Sequence, residues 1–347
     1  MEKLLAVCGS MPRSTAFGTF TLSRLMGVSP LVWWADVVPP HRTALYLSGT
    51  ELSSSPSVKY RGLFINDEDW GLQPWAAQQM DTDIRDIGPK TYARVCELLL
   101  RLRANTLWPA MHPCTKAFWY YEENPRTARR YDIVLGSSHC EQMLRNNVFE
   151  WPQRGGTEKS WNWLTNRDSV QHDWAERVGE SRGQEAMYTL GMRALHDGAM
   201  HGYDTPRQRV EGLREIITWQ RQLLQDSIAG IPGSGTQITD IPQVFVPYKE
   251  VLEAYNAGLE VPEDVMLCWV DDNHGYIRQM PTREEKTRPG GNGIYYHLSY
   301  WGKPQDYLWL CSTSPSLCSF ELSRGFDLGM TGLWMINVGD IKPAEAE

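Results

Sequence analysis

The sequence predicts an α/β protein built on a (β/α)8 barrel of eight parallel strands, and three observations carry that prediction. From residue 58 onward, a short run of β-branched and aromatic residues gives way to polar residues, usually followed by helical spacing, and the run recurs eight times over about 290 residues. That length suits such a barrel, typically ~250 residues and longer with insertions, better than a doubly wound sheet. The polar residues closing the runs include more than turn formers: His112, His139, Glu141, His196, Tyr248, Glu250 and His297 stand there. The C-terminal strand ends are where a barrel of this kind carries its active site.

The first run is Tyr60 to Ile65, closed by Asn66, Asp67, Glu68 and Asp69. A helix is expected over Pro89 to Arg103, with Gly88 as cap, Pro89 in the first turn, and Tyr92, Val95, Cys96, Leu99 and Leu102 on one face. Thr106 to Met111 and Ile133 to Ser137 are the second and third strands; after the third comes a Trp-rich insertion with Trp151, Trp161, Trp163 and Trp174, placed where a substrate loop would sit. Tyr188 to Leu195 is the fourth, and Thr205-Pro206-Arg207-Gln208 reads as a capping box opening the next helix. Val244 to Val246, Val265 to Val270, the run after Gly290-Gly291-Asn292-Gly293, and Leu333 to Val338 complete the set, with a helix opening at Ser314-Pro315 and stopping near Gly329.

Residues 1–57 read differently. Ala16 to Met26 has the pattern of an amphipathic helix, Leu31 to Trp34 and Thr43 to Leu47 read as short strands, and Pro39-Pro40 with Ser53 to Ser57 form a linker. The expectation is the C-terminal remnant of an N-terminal α/β domain, followed over 58–347 by a catalytic barrel whose final helix is missing. Leu333, Met335 and the Leu31 to Trp34 segment would then lose cover, leaving the isolated chain aggregation-prone and poorly active.

Composition narrows the function. A net charge of −8 and the lack of any Lys/Arg block argue against nucleic acid, and no run reaches the ~18 apolar residues of a membrane helix. Seven cysteines without C-x-x-C pairs indicate neither a zinc ribbon nor a disulfide framework, and no export signal is visible at the N-terminus. Aromatic residues are abundant, with 15 Trp, 15 Tyr and 8 Phe; such rings suit sugar faces, though a large core also uses them.

Three chemistries fit a barrel mouth rich in carboxylates. Metal-assisted hydrolysis would want a His-x-His or comparable cluster, whereas the rim histidines stand singly, so no metal is expected. A Ser or Cys nucleophile at Ser137, Ser138 or Cys140 would need a positioned base, and His139 points elsewhere if the chain stays extended; Cys140 is read as structural. Glycoside hydrolysis needs two carboxyl groups, and the rim offers Asp67, Glu68, Asp69, Glu141, Asp197, Glu250, Asp271, Asp272 and Asp340. Arg193, four residues before Asp197, could hold a substrate carboxylate or lower the pKa of a neighbouring acid.

The segments YRGLFINDEDWGLQPWA, LWPAMH, GSSHCEQMLRNN, YTLGMRALHDGAM, FVPYKEVLEAYNAGL, WVDDNHGYIR, IYYHLSYWGKPQDYLWL and INVGDIKP, in this order, resemble glycoside hydrolase family 115, the xylan α-glucuronidases. The resemblance runs from about Gly9 to Lys342. It implies hydrolysis, by inversion and without a cofactor, of the α-1,2 bond between (4-O-methyl)-glucuronic acid and xylose in glucuronoxylan and its oligosaccharides, and an extracellular or periplasmic setting. Carried over by position, it marks Asn66, Asp67, His139, Arg193, Asp197, Tyr248, Glu250, Asn273, Tyr295 and His297. Asp197 and Glu250 are the expected catalytic pair, the others binding substrate, with Asp271, Asp272 and Asp67 in reserve; which carboxylate is acid and which is base stays open. Arg193, with Lys249 and Arg278 behind it, is expected to meet the anionic sugar. Val270, His274, Met11 and Ser14 depart from the family pattern. The alternative is a catalytically inactive fragment that keeps a Trp-lined, carbohydrate-binding cleft.

Overall fold

The apolar runs pair as parallel strands because helices return the chain to the same end of the sheet after most of them. The computed structural model describes residues 4–66, 69, 71–300 and 313–342. Its strands are β1 (Tyr60–Ile65), β2 (Thr106–Trp108), β3 (Val134–Leu135), β4 (Tyr188–Thr189), β5 (Gln243–Phe245), β6 (Met266–Val270), β7 (Asn292–His297) and β8 (Leu333–Gly339). Their order is β3-β2-β1-β8-β7-β6-β5-β4, every ladder parallel. The remaining seam is closed by a bridge between Leu135 and Ala186, where Leu135 N donates to Glu185 O (2.9 Å) and Met187 N donates to Leu135 O (2.8 Å). The expected eight-stranded α/β barrel is therefore the observed fold.

The helices are α1 (Pro12–Leu25), α2 (Leu72–Trp75), α3 (Pro89–Arg101), α4 (Glu123–Arg130), α5 (Asn147–Gln153), α6 (Trp163–Glu180), α7 (Pro206–Leu224), α8 (Glu250–Asn256) and α9 (Pro315–Asp327). Local chemistry sets their starts. Thr205 and Gln208 form the expected capping box of α7, and the Ser314 side chain accepts from Leu317 N at the start of α9. No helix among the described residues is long and apolar enough to cross a membrane.

The core has an inner and an outer part. Phe64, Trp108, Val134, Met187, Val244, Cys268, Tyr295, Leu333 and Met335 fill the barrel. Two outer clusters lie between strands and helices. On β8, burial alternates: Leu333 and Met335 point inward and are fully covered, while Trp334, Ile336 and Val338 face outward and pack against the outer clusters. The expectation that Leu333 and Met335 lie open is thus corrected, because the inner wall of a barrel is covered by its own opposite strands.

Residues 4–57 also depart from expectation. The helix is longer at its start, Pro12–Leu25. Neither Leu31 to Trp34 nor Thr43 to Leu47 is a strand: the first is a run of turns, with Trp34 N donating to Leu31 O at 3.0 Å, and the second pairs with nothing in a ladder. A lone strand has no partner for its backbone groups. The turns instead insert Trp34 (1% exposed) against Trp75, ring centroids 5.5 Å apart, which covers that end of the segment, while Trp33 stays 44% exposed with the Arg94 guanidinium over its ring. Arg13 pins α1 to the barrel through Asp132 and Glu185.

The Trp-rich insertion is not a substrate loop. Trp151, Trp161, Trp163 and Trp174 are all buried, their rings stacking edge-on or tilted at centroid distances of 5.0 to 5.9 Å, with Trp219 of α7 beside them. The indoles glue α6 to α7, and a buried ion cluster of Arg145, Glu150, Asp173 and Arg177 secures the chain between. A cleft lined by these four indoles is therefore excluded.

Met335→Ala is expected to lower the unfolding free energy by about 2–5 kcal/mol, since the barrel interior cannot collapse onto the lost volume. Phe320→Ala, at a side chain 62% exposed, is expected to change it by no more than ~0.5 kcal/mol. Denaturant titration of both variants checks the contrast.

Candidate active site

The site grows from the turns that follow the strands. After β3 the chain makes a tight, buried bend in which Ser137 Oγ donates to Glu141 O and Cys140 N donates to Ser138 Oγ (3.3 Å). The bend sends His139 toward the axis. After β4, Arg193 and Asp197 are brought together by a local turn in which Ala194 N donates to Gly198 O (3.0 Å), and Trp161 Nε1 donates to Arg193 O (2.9 Å). The Trp-rich insertion thus acts on the site from behind.

Arg193 (2% exposed) is the centre. Its Nε and Nη2 donate to the two oxygens of Glu250, both at 2.7 Å, while Nη1 donates to Asp197 Oδ1 and Nη2 to Asp197 O (3.0 Å). The fork matches carboxylate geometry on one edge and holds the second carboxylate on another. Four donor contacts go to protein, and the guanidinium bridges the two acids.

Asp197 receives more. His139 Nε2 lies 3.0 Å from Oδ1, and an ionised carboxylate only accepts, so His139 carries its proton on Nε2. Lys249 Nζ pairs with Oδ2, and the Cys140 thiol lies 3.8 Å from Oδ1. Burial pushes the Asp197 carboxyl up, but the hydrogen bond from His139 and the charges of Arg193 and Lys249 outweigh it and hold the group well below the ordinary carboxylate range. Burial lowers His139, against the pull of Asp197, so the imidazole is neutral at neutral pH.

His139 is walled by Tyr248 (4.8 Å, edge-on) and Tyr295 (5.6 Å). Burial raises both phenols, which stay protonated. Tyr248 Oη donates to Asn273 Oδ1 (2.8 Å), and Tyr295 Oη accepts from Asn337 Nδ2 (2.8 Å). His297 on β7 lies beside Tyr295 (4.6 Å), its Nδ1 2.5 Å from Asp271 Oδ1. His139, Arg193, Asp197, Tyr248, Glu250, Asn273, Tyr295 and His297 thus form one contact chain. Asn66 ends β1, its N–H donating to Gly339 O (3.0 Å), and Asp67 lies outside the described residues.

The reserves have other duties. Asp271 is buried, holding His297 and accepting from Gly275 N (2.9 Å); Asp272 folds its own loop through Arg278 and the N–H groups of His274 and Tyr276. Asp340 caps α2. Glu141 is buried, which pushes its carboxyl up to about 8, and it faces Ser138. His139, Cys140 and Asp197 form the one group among the described residues whose ligand atoms, within 4.8 Å of one another, could meet a metal. Arg193 and Lys249 already occupy that carboxylate, and burial raises the Cys140 thiol, so the donor set is a poor one.

Two features were missed in the sequence. Asn337, fully buried within an otherwise apolar strand, was detectable as a misplaced polar residue. Lys249 is expected behind Arg193 as a cation for the anionic sugar; what the sequence does not show is its backbone at φ 50°, ψ −126°, a conformation for which glycine is suited. Such strain costs on the order of 1–3 kcal/mol. An ion pair as exposed as Lys249 with Asp197 returns only about 0–1 kcal/mol.

The cavity bounded by His139, Gln142, Arg193, Leu213, Phe245 and Val251 lies against the barrel wall and has room for water rather than sugar. The mouth is therefore the candidate site, and it carries two carboxylates, a histidine, two phenols and amide groups on separate strand ends.

Comparison with known proteins gives this arrangement its relatives. No curated protein sequence matches. A solved 4-O-methyl-α-glucuronidase of family 115, with specificity for decorated arabinogalactans, is 50% identical over 97% of this chain, with a TM-score of 0.91; this chain spans 44% of that protein. A trimodular endoglucanase (10% identity, TM-score 0.45, 81% of this chain and 56% of that one) and a xylose isomerase domain protein from Salmonella typhimurium LT2 (11%, 0.43, 83% and 91%) are too distant to bear on the site. The model of glycosyl hydrolase family 115 matches residues 53–347, which take in all eight strands and the site, and the chain belongs to that family.

Proposed function

We propose that this chain carries the catalytic barrel of an α-glucuronidase that releases (4-O-methyl)-glucuronic acid from decorated polysaccharide, with Asp197 and Glu250 as the reacting carboxylates. The observation that carries the reading is the pair itself: two acids from the ends of different strands, held by one buried guanidinium at a barrel mouth. In the inverting form, water attacks the anomeric carbon as a base takes its proton, while an acid protonates the departing glycosidic oxygen. Asp197, held ionised and 41% exposed at its side chain, suits the base. Glu250 is then the acid. Neutral His139 orients Asp197 through Nε2–H, and Tyr248 with Asn273 offers polar contacts for ring hydroxyls.

Glucuronoxylan is the substrate that the sequence motifs favour. The specificity of the solved relative for decorated arabinogalactans makes that polymer the second candidate. Such polymers lie outside cells, which supports an extracellular or periplasmic setting. A catalytically silent, carbohydrate-binding chain is the competing reading.

Asp197→Asn and Glu250→Gln are each expected to reduce release of (4-O-methyl)-glucuronate at least ~100-fold with circular dichroism unchanged. Turnover near that of the parent chain in either variant removes that carboxylate from the mechanism. Chromatography of products from the two polymers decides between the substrates, and a parent chain that releases uronate from neither supports the silent reading.

Asp197 also makes a pH prediction. Its folded pKa is depressed, so its stabilising contribution is present above the unfolded carboxylate value of 3.8 and is lost as pH falls from there through the folded value. Relative to Asp197→Asn, the parent chain is therefore expected to lose unfolding free energy below about pH 4, measured by urea titration across pH 2 to 7.

A further inference from the structure

The mouth holds two acids, yet the sugar read for it is itself an anion. Among the described residues the cations near the pair are Arg193 and Lys249, with Arg278 tied to Asp272 on the outer loop. Arg193 has its fork on Glu250 and its remaining contacts on Asp197, deep in the wall. Lys249 differs in three respects. Its ammonium makes one contact, to Asp197 Oδ2; its side chain is 36% exposed; and it lies 5.0 Å from the Tyr248 ring centroid, at the face of the site.

Lys249 also has a strained backbone, one of nine positive-φ non-glycine residues among those described, Asn273 of the same site being another. The turn from β5 into α8, with Val251 N donating to Tyr248 O (3.0 Å) and Leu252 N to Lys249 O (3.1 Å), presents Tyr248, Lys249 and Glu250 to the same site. An extended chain would turn the middle one away. Glycine would adopt this turn without strain, and the exposed ion pair does not compensate a lysine for it. The strain points to a use for the charge that glycine could not supply.

We propose that Lys249 is the specificity-determining residue that meets the carboxylate of a uronic acid, moving off Asp197 to do so. The assignment rests on the glucuronidase reading and deepens it. A carboxylate held far below its ordinary range is a weak base, because basicity falls with proton affinity. As the ammonium turns to the substrate, Asp197 loses one of its cations and becomes a stronger base. Recognition of the anionic sugar and activation of the base are then one event, and a neutral sugar, lacking the carboxylate, leaves Asp197 quenched.

Binding calorimetry with D-glucuronate and D-glucose, and thermal melting, test this on the chain and its Lys249→Gln, Lys249→Ala and Lys249→Gly variants. The parent chain is expected to bind glucuronate and not glucose, and all three variants to lose at least ~10-fold in glucuronate affinity. Lys249→Gly is expected to melt above Lys249→Ala, since both lose the charge and only glycine relieves the turn. Arg278→Gln is expected to bind glucuronate as the parent does. If the parent binds glucuronate and Lys249→Gln binds it equally, the assignment is overturned while the glucuronidase reading stands. If Lys249→Gly melts at or below Lys249→Ala, the strain argument is overturned. If the parent neither binds glucuronate nor releases uronate from polymer, the glucuronidase reading falls and the ligand named here falls with it.

Discussion

The Arg193 guanidinium is the constraint on which the site depends. It is almost fully withdrawn from water, and a charge so placed is tolerated only when paired and hydrogen-bonded with good geometry. Glu250 satisfies one edge bidentately and Asp197 satisfies another through both side chain and backbone. The requirement acts in both directions: the carboxylates hold the arginine, and the arginine sets where the carboxylates stand. Because Arg193 and Asp197 follow β4 while Glu250 opens α8 after β5, the triad also ties neighbouring strand ends into one unit. A buried pair of this kind is weak evidence for stability, but it is a firm device for positioning.

The surrounding structure serves that geometry. Trp161 holds the Arg193 carbonyl, and Trp161 is in turn fixed by indoles that bind α6 to α7. On the opposite side, Asp271 orients His297, and Asn337 orients Tyr295 from within β8. Inside the barrel, Phe64, Trp108 and Tyr295 pack ring against ring beneath His139. The floor is thus dry and rigid, whereas Asp197 and Lys249 remain open to water at the top. The exposed charges lie at the open end of the site, and the Arg193 charge lies where water cannot reach it.

The aromatic content of the chain takes its meaning from that division. Rings that suit sugar faces in composition are spent on structure at Trp151, Trp161, Trp163 and Trp174. The rings that do border the site, Tyr248 and Tyr295, carry hydroxyls bonded to amides, which fixes their planes. The candidate site is built from polar groups held by aromatic walls.

The barrel and the polar residues gathered at its mouth were legible in the sequence, because each strand is a local apolar run and each of those residues follows or ends one. Periodicity and end-of-strand chemistry are properties of short segments, and short segments survive translation into sequence unchanged. What only the tertiary structure decided involves partners far apart in the chain. Leu31 to Trp34 has the composition of a strand, but with no ladder to join it folded into turns that bury Trp34. Leu333 and Met335 looked exposed because their cover comes from the opposite barrel wall. Arg193 read as a cation for a substrate carboxylate or a neighbouring acid, and Glu250, 57 residues on, occupies its fork. Lys249 read as a cation standing behind Arg193, and its backbone turns it onto Asp197. In each case the sequence names the group and its chemistry, but a charge's partner and a side chain's cover are set by the closure of the barrel, which no local pattern records.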